Sequence, residues 1–159
     1  MAAQTSHEIE IEAPFGLVWE ITNDVRSWPS LFSEYAAAEI LEERAGYVRF
    51  RLATHPDESG QTWSWVSERH YDRDAKEVIA RRVDPGPFEY MNIRWTYEDA
   101  GNGRTVMRWA QDFQMKPTAP VTDKQMAARI DANSPVQLGL IKAAVESRHV
   151  TGVTRARQA

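Results

Sequence analysis

The sequence predicts an α+β fold in which seven antiparallel strands form one sheet curved around a long C-terminal helix, with an internal cavity between them. Three observations lead there. From Tyr35 to Met115 the pattern has period two, broken only by short polar links bearing Gly or Pro. Met126, Ile130, Leu138, Ile141 and Val145 then recur at helical spacing. Several strand faces are built of indoles, phenyl rings and methionines, whereas a solid core prefers aliphatics in defined rotamers.

In chain order, His7 to Glu12 alternates and reads as the first strand. Pro14 breaks it and suits the first position of a helix over Phe15–Thr22. Asn23 or Asp24 can cap a second short helix running to about Phe32, which Pro29 makes short, kinked or split. Six strands follow: Ala36–Glu42, Tyr47–Thr54, Thr62–His70, Glu77–Val83, Tyr90–Tyr97 and Thr105–Met115. Their links are hairpin-sized, so neighbours pair antiparallel and no crossover helix fits between them. Pro117 and Pro120 end the sheet, and Thr122 to Gln125 has the form of a capping box. The last helix is expected to be kinked or divided at Pro135, with Ser134 as a possible new cap. It is expected to end near His149 and leave a frayed basic tail from Thr151. A curved sheet gripping one helix is the helix-grip architecture, and the helix alone does not fill the concave face.

Bulk properties narrow the function. The 159 residues suit one domain, 1–159, large enough to hold a core and a cavity. A net charge of −4 supplies no basic field for nucleic acid. The absence of cysteine excludes a disulfide framework, a thiolate metal site and a thiol nucleophile. The N-terminus lacks the basic start and apolar run of a signal peptide, and no segment is apolar enough to span a bilayer. A cytoplasmic protein, with neither membrane nor nucleic acid as partner, is the expectation. His7, His55, His70 and His149 show no metal-ligand spacing, so no metal is expected. Gly101-Asn102-Gly103 reads as a hairpin turn and not as a phosphate loop.

The chemistry concentrates on Thr62 to His70. Alternation puts Trp63, Trp65, Ser67 and Arg69 on one face. That face either packs as core, with Arg69 in a structural salt bridge, or lines a small-molecule cavity of aromatic walls and few polar groups. Neighbouring strands favour the cavity: Val48, Phe50, Leu52 and Thr54 share one face, Met91, Ile93, Trp95 and Tyr97 another, Met107, Trp109, Gln111 and Phe113 a third. Trp28, Phe32 and Tyr35 add to them. A guanidinium there is always protonated and cannot be a base, but it can polarise a carbonyl and hold an enolate, worth about 3 kcal/mol by analogy with oxyanion donors. Tyr35 is the candidate proton donor, or otherwise a wall residue with its hydroxyl at the mouth. Ser67 has no evident base beside it and reads as a hydrogen-bonding group.

The chain also resembles a known family. Ala13-Pro14-Phe15, Val18-Trp19, Thr22-Asn23-Asp24 and Trp28-Pro29 are similar to the opening of the START-like (START/Bet v1-like) superfamily. Leu31 to Ala36, Trp63 to Arg69, Gly86 to Phe88, Tyr90 to Asn92 and Met107 to Trp109 resemble the monodomain aromatase/cyclases of bacterial type II polyketide synthases, of tetracenomycin and spore-pigment type. The resemblance implies an enzyme that receives a linear poly-β-ketone on acyl carrier protein. Such an enzyme directs the first-ring aldol between carbons 9 and 14, then dehydrates and aromatises the ring. It further implies work beside a ketosynthase/chain-length factor, in antibiotic or spore-pigment biosynthesis, with no cofactor. By matching position, Arg69 would be the central catalytic group, assisted by Tyr35 and Ser67. Trp28, Phe32, Trp63, Trp65, Phe88, Met91, Trp95 and Trp109 would shape the substrate pocket. The other reading is a non-catalytic carrier or sensor of an aromatic or lipid-like ligand, because one fold serves many functions.

Overall fold

The computed structural model describes residues 2–158, with side chains described as far as Thr151. The chain runs β1 (Ala3–Ile11), α1 (Phe15–Thr22), a 3-10 turn (Val25–Ser27), α2 (Trp28–Leu31), β2 (Tyr35–Arg44) and β3 (Tyr47–Thr54). It continues through β4 (Ser64–Asp72), β5 (Glu77–Asp84), β6 (Phe88–Gly101), β7 (Arg104–Met115) and α3 (Asp123–Gln158). The strands form one antiparallel sheet in the order β1-β7-β6-β5-β4-β3-β2. Every pair except β1–β7 is sequence-adjacent, as hairpin-sized links require, and only the β1 return crosses the molecule.

The second helical segment is split: a 3-10 turn hands over to α2, with Pro29 in the first turn of α2 where its missing N–H costs nothing. Asp24 precedes that turn without capping its backbone, and its carboxylate instead accepts the Ser27 hydroxyl. The capping box at the start of α3 is formed in both directions. Thr122 N–H donates to Gln125 Oε1 (2.9 Å) and Gln125 N–H to Thr122 Oγ1 (3.1 Å).

Two expectations about α3 are corrected. Of the two forms expected at Pro135, kinked or divided, the divided one is absent: the helix is assigned without a break, and Ser134 is a buried mid-helix residue instead of a cap. It also runs past His149 to Gln158, so the backbone assignment shows helix where a frayed tail was expected. Proline inside a helix forfeits a hydrogen bond and costs about 3 kcal/mol. Burial next door offsets it, because Leu138, Ile141 and Val145 sit fully inside the core. Phe50, Trp95, Tyr97 and Met107, from β3, β6 and β7, belong to the same core cluster. The long axis of α3 lies chiefly along β1, with smaller contacts to α1, α2 and β7. The helix therefore leans to one side of the concave sheet, and space remains over β3 to β6.

This seating makes a checkable prediction. Ile141→Ala removes a fully buried side chain and should cost about 2–5 kcal/mol. Val136→Ala, five residues earlier on the exposed face, should change stability by less than about 0.5 kcal/mol. Denaturant titration of both variants reads the difference, and equal losses would mean that α3 is seated otherwise.

Candidate active site

The space left by α3 is a cavity of about 370 Å³. Its floor is aromatic. Trp95 and Trp109 stack with centroids 5.0 Å apart, and Trp28 lies over Trp95 at 5.8 Å. Phe32, Tyr35, Phe50 and Trp65 continue the wall, and Phe88 with Met91 and Met126 closes the end nearest the start of α3. Period-two geometry explains the arrangement, since each strand places alternate residues inward and β6 and β7 pair Trp95 directly with Trp109.

Arg69 is 2% exposed and is the largest fully buried side chain. Its guanidinium carbon lies 4.1 Å from the Trp95 ring centroid and 5.0 Å from that of Trp28. Nη2 donates to Asn23 Oδ1 at 2.7 Å, while Nε has no hydrogen-bond partner. No ion pair to Arg69 occurs among the described residues, so the structural salt bridge weighed from the sequence is absent there. Burial pulls its pKa below the usual arginine value, against nearby tyrosines that raise it. Arginine stays charged under such shifts.

Asn23 is itself fixed. Its backbone N–H and Nδ2 both donate to Trp19 O at the end of α1, and Nδ2 also reaches Tyr97 Oη at 3.2 Å. Thr22 Oγ1 donates to Val18 O at 2.7 Å, so the Tyr97 hydroxyl 2.8 Å away donates to Thr22. Burial pushes the Tyr97 phenol up to about 12, which keeps it a donor. One carbonyl-terminated chain of hydrogen bonds thus aims the Asn23 oxygen at Arg69.

Tyr35 lines the same cavity, its ring 6.0 Å from Trp28, 5.3 Å from Phe32 and 6.1 Å from Trp65. Burial raises its phenol well above the ordinary value, and its hydrogen bond to Glu34 pushes the same way. Ser67 lies between Trp65 and Arg69 on the wall, and no histidine is among the described lining residues.

Ten of the eleven site residues expected from the sequence therefore line one cavity: Arg69, Tyr35, Ser67, Trp28, Phe32, Trp65, Phe88, Met91, Trp95 and Trp109. Trp63 does not. It precedes β4, exchanges backbone and side-chain hydrogen bonds with Thr54, is 39% exposed, and donates Nε1 to the Asp57 carboxylate at 3.4 Å. The strand expected from Thr62 begins at Ser64, so its alternation does not reach Trp63.

Sequence reasoning missed Arg82, Glu34 and Asn133. The Arg82 guanidinium lies between the Trp65 and Phe88 rings, 4.1 and 4.5 Å from their centroids. Burial lowers its pKa to about 10, against the attraction of Tyr35 and Glu34, so it too is charged at neutral pH. Its signal was available, because Val78, Ala80 and Arg82 alternate on one face of β5. Glu34 lies in the segment between α2 and β2, where no periodicity speaks. Asn133 Nδ2 donates to its Oε2 at 3.2 Å, and burial raises its pKa.

Among the described residues there is no cluster of three or more His, Asp or Glu side chains able to hold a metal ion, and no helix is long and apolar enough to cross a membrane.

The profile of a family described as "Polyketide cyclase / dehydrase and lipid transport" matches residues 11–134. A putative polyketide cyclase of Streptomyces cyaneus is 56% identical over 146 residues, 92% of this chain and 95% of that protein. The actinorhodin polyketide synthase bifunctional cyclase/dehydratase of Streptomyces coelicolor is 28% identical over 89% of this chain, which corresponds to 44% of that longer protein. In fold, the chain superposes on the Zhui aromatase/cyclase of Streptomyces sp. R1128 with a TM-score of 0.79, 23% identity and 96% coverage of each chain. With more than three quarters of its length inside the family profile, the chain belongs to the polyketide cyclase/dehydrase and lipid transport family.

Proposed function

We propose that this protein is a polyketide aromatase/cyclase that folds a linear poly-β-ketone carried by acyl carrier protein. It directs the first-ring aldol between carbons 9 and 14, and then dehydration and aromatisation. One observation supports this above all: a fully buried guanidinium, with no carboxylate partner among the described residues, on the wall of an aromatic cavity that also holds a protonated phenol. A volume of about 370 Å³ falls in the range of small-molecule sites, about 300–1,000 Å³. The relatives named as cyclases and cyclase/dehydratases support the same reaction class.

The reaction suits these residues. A methylene between two ketones is already acidic, so the difficult task is to select one carbon pair among many alike. Fixing that pair in contact is a proximity effect, worth about 7–11 kcal/mol in favourable cases. Rigid indole walls restrict the chain, Arg69 holds the carbonyl oxygen that becomes an enolate, Tyr35 returns a proton, and Ser67 hydrogen-bonds to the chain. The carrier protein would dock where the exposed Arg129 borders the cavity, through a weak, salt-sensitive contact with its acidic face. The cytoplasm, a neighbouring ketosynthase/chain-length factor, and an antibiotic or spore-pigment pathway complete the proposal, with 1–159 acting as one domain.

Reconstitution with a minimal polyketide synthase tests it. Wild-type protein should redirect product from shunt compounds to the ring closed between carbons 9 and 14. Tight ligand binding without that redirection would instead establish the carrier or sensor reading.

Arg69→Ala should fold and lose first-ring control. Deleting the guanidinium strands the Asn23 oxygen at a cost of about 1–3 kcal/mol and relieves a desolvated charge, so the net loss should stay below the roughly 3–5 kcal/mol of a broken buried ion pair. Arg69→Lys should recover part of the control, since a point charge replaces a planar fork. Product profiles with thermal melts decide, and normal product ratios in Arg69→Ala would remove it from the mechanism.

Flat aromatic polyketide analogues should quench tryptophan fluorescence, because four indoles line the cavity. Trp65→Leu, which removes one wall and one face of the Arg82 sandwich, should weaken that binding about 10-fold or more. Unchanged affinity would place the ligand elsewhere.

A further inference from the structure

Five ionisable side chains lie on the described cavity wall: Glu34, Tyr35 of β2, Arg69 of β4, Arg82 of β5 and Arg129 of α3. The arginines are permanently charged and the phenol keeps its proton, so none of those four accepts a proton at neutral pH. Ring closure nevertheless requires a methylene proton to leave. Resting on the cyclase reading of this cavity, we propose that Glu34 is the general base of ring closure, hydrogen-bonded to Tyr35 and positioned by Asn133 and Gln137 of α3.

The geometry is built for it. Gln137 is 2% exposed and every polar atom of its amide is used. Its Oε1 accepts the Ser33 backbone N–H at 3.1 Å, and its Nε2 donates to Ser33 Oγ at 2.9 Å and to Asn133 Oδ1 at 3.1 Å. With Asn133 Oδ1 engaged, its Nδ2 is turned outward and donates to Glu34 Oε2. Two residues one turn apart on α3 therefore fix both the backbone before Glu34 and one oxygen of its carboxylate. The Tyr35 hydroxyl is bonded to the same carboxylate, and Arg82 attracts it from across the cavity without a direct ion pair. Burial outweighs these contacts and raises the Glu34 pKa above the ordinary carboxylate value, which strengthens it as a base.

The proton count closes within this pair. Glu34 takes a proton from the methylene, the resulting enolate carbon forms the C–C bond to the ketone carbon, and the new alkoxide takes the Tyr35 proton. Protonated Glu34 then returns its proton to the Tyr35 phenolate through their hydrogen bond, and both groups are reset. Dehydration repeats the cycle. Glu34 removes a second carbon-bound proton, the C–O bond breaks, and the Tyr35 proton leaves with the hydroxide as water.

Proton exchange into D2O from an N-acetylcysteamine β-ketothioester, followed by NMR, tests the base without requiring any ring to form. A failure of wild-type protein to control polyketide products would count against the cyclase reading alone. Glu34→Gln should lose about 100-fold or more of the enzyme-catalysed exchange while still binding the probe. Glu34→Asp should recover part of it. In wild type the exchange rate should rise with pH through the raised Glu34 pKa, as a base requires, and that limb should vanish in Glu34→Gln. Asn133→Ala removes a donor that favours the carboxylate, so its limb should move to higher pH, a shift that a merely structural role does not produce. Stability should follow the same group. The folded protein holds this proton more tightly than the unfolded chain, so wild-type stability should fall as pH rises from the ordinary carboxylate range to the raised value, and that slope should be missing in Glu34→Gln. Wild-type exchange in Glu34→Gln, or an unmoved limb in Asn133→Ala, would overturn the assignment.

Discussion

The structure is organised around a charge that has no counter-charge among the described residues. A guanidinium that is fully buried and lacks a carboxylate is costly, and the protein meets that cost with oriented neutral groups. Asn23 presents an oxygen whose direction is fixed by α1 and by Tyr97, and the faces of Trp95 and Trp28 supply negative quadrupole density. A carboxylate there would have satisfied Arg69 within the fold and dulled its attraction for anything else. The neutral cradle leaves the positive field directed into the cavity.

Everything else about the site follows from making room beside that charge. The sheet is antiparallel and consecutive, so six strands deliver alternate residues to one concave face. The helix that might have filled it runs along β1 and is stitched to the Ser33–Tyr35 segment by Gln137 and Asn133. Strands thus supply most of the walls together with Arg69 and Arg82, while the segment after α2 supplies the Glu34 carboxylate and α3 its supports.

How much of this could be read beforehand depended on whether a residue belonged to a repeating pattern. Trp65, Ser67, Arg69, Met91, Trp95 and Trp109 were legible because strand geometry assigns every second residue to one face. Arg82 obeyed the same rule on β5 and was overlooked only because its neighbours Val78 and Ala80 look like ordinary core. Trp63 was misplaced because alternation says nothing about where a strand begins; Thr54 and Asp57 hold it outside the cavity instead. Glu34 had no period to betray it, and its partner Asn133, like the Gln137 that holds Ser33, lies about a hundred residues away. The unbroken α3 was also illegible, since local cost at Pro135 is outweighed by burial of Leu138, Ile141 and Val145, which only the tertiary structure reveals.

The stack of Trp28, Trp95 and Trp109 has an optical consequence. Indoles with centroids 5.0 and 5.8 Å apart share their electronic excitations, and the near-parallel Trp95–Trp109 pair, only 9° apart, gives the coupling a defined geometry. The protein therefore carries a built-in chromophore whose circular dichroism belongs to the cavity floor and not to the backbone. Whatever settles against those rings alters that signal without any label. The same rings that shape the site make its occupancy visible from outside.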